Sequence, residues 1–245
     1  MQLIVNAPVN ALDWVGDQGM YLLLSHLMNI PQYFEFFRSR SDRYLIFDNS
    51  AFELGTPNYD SLERAVEELK VNEVVAPDVP FDGKQTYVQT REFVKQYKKS
   101  IPQVKIVGVI QGKDVKEVKE CIRKLLDLEI DVIAIPKWCG TKFAHVPAYG
   151  ATLSRYRVFC ELKEQMLKYE RMLPVHLLGL NSPEVELPAY RQLARSIDTS
   201  FPFRSLVPQF SYETDFPKEL KGEVKSRIEY LKDFLANPRE EFRRL

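Results

Sequence analysis

Cysteine and histidine are scarce, with three of each in 245 residues. Cys121, Cys139 and Cys160 are odd in number and scattered, so they frame no disulfide scaffold. No Cys-x-Cys or Cys-x-x-Cys pair offers half of a zinc site. Reduced thiols packed in the interior are the reading that fits them. His26, His145 and His176 are not paired at metal-ligand spacing, so a built-in metal is not expected. Charge of one sign is also lacking. The 34 basic residues balance 34 acidic ones, which argues against a protein that holds polyanions by bulk charge and leaves only a local basic face open. No apolar run approaches the roughly 20 residues that span a bilayer. The opening residues, MQLIVNAPVNALDW, lack the basic start of a secretory signal. A soluble, cytoplasmic protein without a membrane partner is the expectation.

What the chain does contain is a recurring unit, a short apolar run followed by an amphipathic stretch. The runs are LIVNA (3–7), YLLLS (21–25), YLIFD (44–48), EVVAPD (73–78), KIVGVIQG (105–112), DVIAIPK (131–137), VHLLGL (175–180) and SIDTS (196–200). Most are rich in Val, Ile and Leu without alternation, which suits parallel strands covered on both faces. YLLLSHLM is ambiguous, since it could equally open a helix running on to Phe37. Between the runs lie helical patterns. Tyr59–Lys70 carries Leu62, Ala65, Val66 and Leu69 on one stripe, with Asp60 as the expected N-cap. Asp114 is expected to cap DVKEVKECIRKLLDLEI, and Ser182-Pro183 opens another helix. Strands alternating with helices over this length predict a (β/α)₈ TIM barrel, one domain over residues 1–245 with a C-terminal helix. An open doubly wound sheet is the rival, weakened because no glycine-rich phosphate turn follows the first run.

In a barrel, chemistry collects at the C-terminal ends of the strands. Reading those ends in order gives Ser25-His26, Asp48-Asn49, Asp78, Gln111-Gly112, Lys137 and Asp198. An aspartate after a strand is by itself an ordinary turn residue. Several carboxylates and a carboxamide meeting in one mouth point instead to acid/base or covalent chemistry at an electrophilic carbon, with a sugar C1′ as the leading candidate. One carboxylate attacks while another handles the leaving group's proton. An Asp and a Gln together can also pair with the edge of a purine-like base.

These residues resemble the tRNA-guanine transglycosylase superfamily, and most of all its short phage-type members that place 7-deazaguanines in DNA. The likeness runs from about Asp42 to Arg204. Asp48-Asn49-Ser50-Ala51-Phe52-Glu53 is similar to the family's Asp-Ser-Gly-Gly-Phe/Tyr-Gln segment, and Val109-Ile110-Gln111-Gly112 to its Val-Gln-Gly segment. His176-Leu177-Leu178-Gly179 resembles the strand carrying one side of the base sandwich. Asp198, Pro202 and Arg204 match Asp-x-x-x-Pro-x-Arg around the nucleophile. The resemblance implies Asp198 as nucleophile, Asp48 as acid/base, Asp78 and Gln111 with Gly112 as readers of the base edge, and Phe52 and Leu178 on its two faces. Lys137 falls in the base-contacting loop.

The sequence also departs from the family pattern. No Cys or His follows Asp198, so the zinc subdomain of the tRNA-acting members is absent, which favours DNA over tRNA as partner. Ser50-Ala51 replaces two glycines, and Pro136-Lys137-Trp138 stands where the family has Gly-Gly-Leu. The resemblance thus implies exchange of guanine in a nucleic acid for a 7-deazaguanine such as preQ0, without a cofactor. Arg204, Lys142 and the helix bearing Arg155, Arg157, Lys163 and Lys168 are the candidate phosphate contacts. Two other classes stay open, a barrel enzyme acting on free nucleosides and a catalytically silent binding module.

Overall fold

A computed structural model gives the structure of the chain and describes residues 1–137, 139, 150–213 and 215–236. All of the apolar runs become strands: β1 Gln2–Val5, β2 Met20–Leu24, β3 Tyr44–Asp48, β4 Glu73–Val75, β5 Lys105–Val109, β6 Val132–Pro136, β7 Val175–Leu178 and β8 Ser196–Thr199. They form one eight-stranded parallel sheet in the order β1-β8-β7-β6-β5-β4-β3-β2. Curled so that its edges β1 and β2 lie side by side, this sheet is the predicted (β/α)₈ barrel. Burial on both faces settles the ambiguous second run, because all five residues of β2 are buried. A helix there would have turned part of YLLLS toward water.

The helices are α1 Pro31–Arg38, α2 Ala51–Leu54, α3 Leu62–Arg64, α4 Gly83–Ser100, α5 Val115–Leu126, α6 Gly150–Lys168, α7 Pro183–Tyr190, α8 Phe201–Arg204 and α9 Lys221–Ala236. After β1 only a 3₁₀ stretch, Val9–Trp14, takes the place of a helix. Asp114 caps α5 as expected, accepting from Glu117 N–H at 2.8 Å. The stretch Tyr59–Lys70 is shorter than its periodicity predicted. Asp60 donates its N–H to Asn58 Oδ1 at 2.9 Å in a turn, so Ser61 precedes α3, and Ala65–Leu69 finishes as a π-helical turn. Cys121 and Cys139 are buried, but Cys160 faces outward, against the packing role expected of it. Trp14 is core, stacked edge-on against Phe216 with ring centres 5.8 Å apart and near Phe203, which pins the C-terminal segment to the β1–β2 connection.

Between β1 and β2, side chains do the work of a ladder. The Gln18 carboxamide accepts from Val5 N–H at 2.6 Å and donates to Val5 C=O at 3.2 Å. On the other edge Leu24 N–H donates to the Tyr33 hydroxyl at 2.8 Å. The backbone groups that an open edge would leave bare are thus satisfied. At the base of the barrel, buried Glu73 receives the Arg195 guanidinium, Nη2 to Oε2 at 2.9 Å, and the Tyr44 hydroxyl at 2.5 Å. No helix among the described residues is long and apolar enough to cross a membrane.

Candidate active site

A cavity of about 540 Å³ opens at the C-terminal ends of the strands, the end at which barrels place their chemistry. Asp48, Asp78, Gln111, Lys137, Leu178, Phe52, Arg204 and Asp198 all line it, drawn from the ends of β3 to β8 and the segments that follow them. Asn6 after β1 and His26 after β2 complete the ring, and Phe210, Tyr212 and Glu213 approach from the segment after α8.

Asp198 lies one residue before the end of β8 and is almost wholly enclosed. Its Oδ2 accepts from Asn6 Nδ2 and its Oδ1 from Gly179 N–H, both at 2.9 Å. Beneath it lies His176. Its Nε2 is 3.3 Å from Asp198 Oδ1, short of hydrogen-bond geometry, and its Nδ1 is 2.8 Å from Ser196 Oγ. Ser196 Oγ in turn accepts from Arg195 Nε at 3.3 Å. A polar column therefore runs from Glu73 at the barrel base to Asp198 at its mouth. Pairing of β7 with β8 in register, His176 opposite Ser196, is what builds it. The signal available in the sequence was the polar pattern Ser-x-Asp on an otherwise apolar strand beside a strand with an inward histidine.

Asp48 ends β3. Ser50 N–H donates to its Oδ1 at 2.7 Å, with Ser50 in the left-handed conformation at φ +52°. Serine thus holds the backbone that the resembled segment assigns to glycine. Burial, and then the nearby Glu53, Asp198 and Asp78, raise the Asp48 carboxyl well above the ordinary carboxylate range. Asp78 is also raised, by burial, although Gln111 Nε2 donates to its Oδ2 at 2.7 Å and Asn49 Nδ2 to its Oδ1 at 3.3 Å. Asn49 is buried and also donates to Ala76 C=O at 2.9 Å, which ties the ends of β3 and β4 together. Glu53, on α2, is raised by burial as well. Its position in the mouth follows from α2 turning back over the cavity, which no periodicity in four residues announces.

Lys137 reaches across the mouth from the end of β6. Its Nζ lies 5.1 Å from the centre of the Phe52 ring on α2. Burial, together with the Arg204 charge, lowers its pKa. The stem passes over Gly179, where φ is +72° and a Cβ would stand 3.0 Å from Lys137 Cδ. Gly179→Ala is therefore expected to strain the backbone and push on Lys137. The variant should lose about 1 kcal/mol in urea unfolding, together with activity, because the same residue's N–H holds Asp198.

Five other expected contacts fall elsewhere. Gly112 does not line the cavity. A Cβ there would lie 2.8 Å from Val118 N, so its bareness lets α5 pack against the end of β5. Arg155, expected on phosphate, is fully buried and corrected to a structural role. Its Nη1 donates to Gly179 C=O at 2.6 Å, its Nη2 to Ile135 C=O at 2.6 Å and Leu178 C=O at 3.0 Å, and it lies 3.4 Å from buried Glu186. Arg157 is exposed but on the flank of α6, away from the cavity lining. Lys163 packs by Phe159 and Lys168 pairs with Glu164 at 2.6 Å, both toward the base, since a helix following a parallel strand runs away from the mouth. Lys142 lies outside the described residues, as do Trp138 and His145.

Chemically, the mouth offers an oriented carboxylate in Asp198, a proton carrier in Asp48 and a fixed acceptor in Asp78 backed by a carboxamide. Exposed aromatic and aliphatic surface lies beside them. No group of three or more His, Cys, Asp or Glu among the described residues is placed to hold a metal ion. Comparison of the chain with protein-family models and with curated proteins finds no match.

Proposed function

We propose that this barrel is a base-exchange transglycosylase acting on a nucleic acid, with DNA favoured over tRNA, that replaces guanine with a 7-deazaguanine such as preQ0. The observation that carries the reading is the meeting of Asp198, Asp48, Asp78 and Gln111, with Phe52 and Leu178, around one cavity. The target nucleotide leaves the stack, because C1′ is out of reach within a duplex. A carboxylate oxygen of Asp198 attacks C1′, the C1′–N9 bond breaks with its electron pair going to the purine, and Asp48 gives its proton to the departing base. The incoming base then attacks C1′, the aspartyl ester breaks, and the proton released by that base returns to Asp48. Asp78 and Gln111 face the base edge. Gln111 keeps one amide hydrogen for a base carbonyl while the other serves Asp78. Lys137 and Arg204 supply the cations for flanking phosphates.

The test is incorporation of labelled guanine, and then of labelled preQ0, into duplex DNA and into unmodified tRNA. Label in DNA alone is the expected result. Label in tRNA alone overturns the choice of polymer, and label in neither overturns base exchange. One feature favours a second reading, an enzyme acting on free nucleosides: the cavity is lined by Asp48, Glu53, Asp78, Asp198 and Glu213 against Lys137 and Arg204, an acidic balance. Turnover of free guanosine without incorporation would establish it.

A pH dependence follows from Asp48. Its folded pKa lies above the unfolded value near 3.8. The stability from that proton is therefore fully present below the unfolded value and lost as pH rises through the folded one. Glu53 and Asp78 act in the same direction. Thermal melts from about pH 4 to pH 8 should show the wild-type midpoint falling with rising pH, and Asp48→Asn should flatten that fall. Exchange should fail in the same variant, which lacks the proton to give.

A further inference from the structure

Phe81 has its backbone in the left-handed region, at φ +64°, where a bulky side chain is a rare occupant. It lies in the connection from β4 to α4, whose other bonds are ordinary. Asp82 N–H donates to Val79 C=O at 3.0 Å, and Asp82 Oδ1 caps α4 by accepting from Gln85 N–H at 2.8 Å. Glycine or asparagine would take this backbone with less strain. Burial does not explain the phenylalanine, which remains 39% exposed and lines the cavity. What fixes it is Gln111, whose Oε1 accepts from Phe81 N–H at 3.1 Å while its Nε2 holds Asp78. One carboxamide thus sets both the ring and the carboxylate assigned to the base edge.

The neighbourhood indicates what the ring meets. Phe52 and Leu54, on α2, are also exposed and line the same mouth, and Lys137 and Arg204 set two cations among its carboxylates. A ligand matching this surface carries flat apolar groups and anionic groups close together. Consecutive nucleotides of one strand have that character, since bases stack on aromatic faces while phosphates take the cations. We infer that Phe81 is a stacking platform for the base flanking the exchanged nucleotide, so that the site takes at least two adjacent nucleotides of a strand. This rests on the nucleic-acid reading proposed above.

The experiment measures equilibrium binding of a short single-stranded deoxyoligonucleotide containing one guanosine, and separately of free guanine, to the wild-type chain and to Phe81→Ala, Phe81→Gly and Phe81→Tyr. Ala and Gly should weaken the oligonucleotide alike, about tenfold, with guanine unchanged, and Tyr should bind as wild type does. Gly should melt roughly 2–4 °C above Ala, because only it relieves the backbone. Equal losses at unequal stability separate contact with the ligand from mere folding. Oligonucleotide binding that is unchanged in both deletions overturns the inference, as does binding recovered in Phe81→Gly or a parallel loss of guanine. If wild type binds guanine but no oligonucleotide, the nucleic-acid reading fails with it. If wild type binds the oligonucleotide and the deletions do too, only the role of Phe81 fails.

Discussion

Asp198→Asn is expected to abolish base exchange, lowering it on the order of 10⁴-fold or more, as removal of a covalent nucleophile does. The substitution is chosen to spare the fold. The new side chain keeps one carbonyl oxygen for Gly179 N–H. Asn6 can turn its carboxamide over to accept from the new amide, giving a partner to its Oδ1, a buried atom without one in the native chain. Asp198→Ala offers neither contact and should lose stability as well. The check is twofold. Incorporation of label measures the rate, and denaturing electrophoresis of enzyme mixed with DNA measures the covalent ester. Wild type should retain DNA under denaturation and Asp198→Asn should not. An asparagine variant that still exchanges bases would remove Asp198 from the nucleophile's place.

The largest effect on stability is expected at Arg155. Arg155→Met leaves Glu186 as a buried charge without its cation, and it strips a donor from the carbonyls of Ile135, Leu178 and Gly179. Breaking a buried pair from one side costs about 3–5 kcal/mol, which for a chain of this size lowers the melting midpoint by roughly 10 °C. Glu186→Gln added to Arg155→Met should recover part of that loss, since the stranded charge is then gone and Asn181 N–H still finds an oxygen. A thermal melt of the single and double variants decides it. Additive losses would show that the carbonyl contacts, not the charge, dominate. Arg155 touches no substrate in this scheme. It positions Gly179, and through Gly179 N–H the carboxylate of Asp198.

The barrel was legible because parallel strands buried on both faces write themselves as unbroken apolar runs, and most of these end in a polar residue where the mouth begins. The placing of Asp198, Asp48 and the Asp78–Gln111 pair at one mouth was legible for that reason, whereas the roles proposed for them come from the resemblance. Arg155 was misread although the signal was present. With Val158, Phe159 and Leu162 it falls at i, i+3, i+4 and i+7 on the buried stripe of α6, and Arg157, two residues on, is turned to the opposite side. A charged residue on an apolar stripe predicts a buried pair, not a phosphate contact. Gly112 was misread for another reason, since a glycine after a strand serves close helix packing as readily as close ligand approach. Asn6, Asn49, His176 and Glu53 depend on which strands stand side by side and how loops fold back, and that pairing is not written in local sequence.

The seam between β1 and β2 has a mechanical consequence. Everywhere else, spreading two strands apart breaks a backbone ladder. At the seam, separation strains the two hydrogen bonds between the Gln18 carboxamide and Val5, made by a side chain that can swing to follow. The wall is therefore most compliant along this line, and the line ends at the mouth between Asn6 and His26. A polymer pressing into the cavity would meet its softest boundary there. Because Asn6 donates to Asp198 from the β1 side, opening of the seam would carry the Asp198 carboxylate with it.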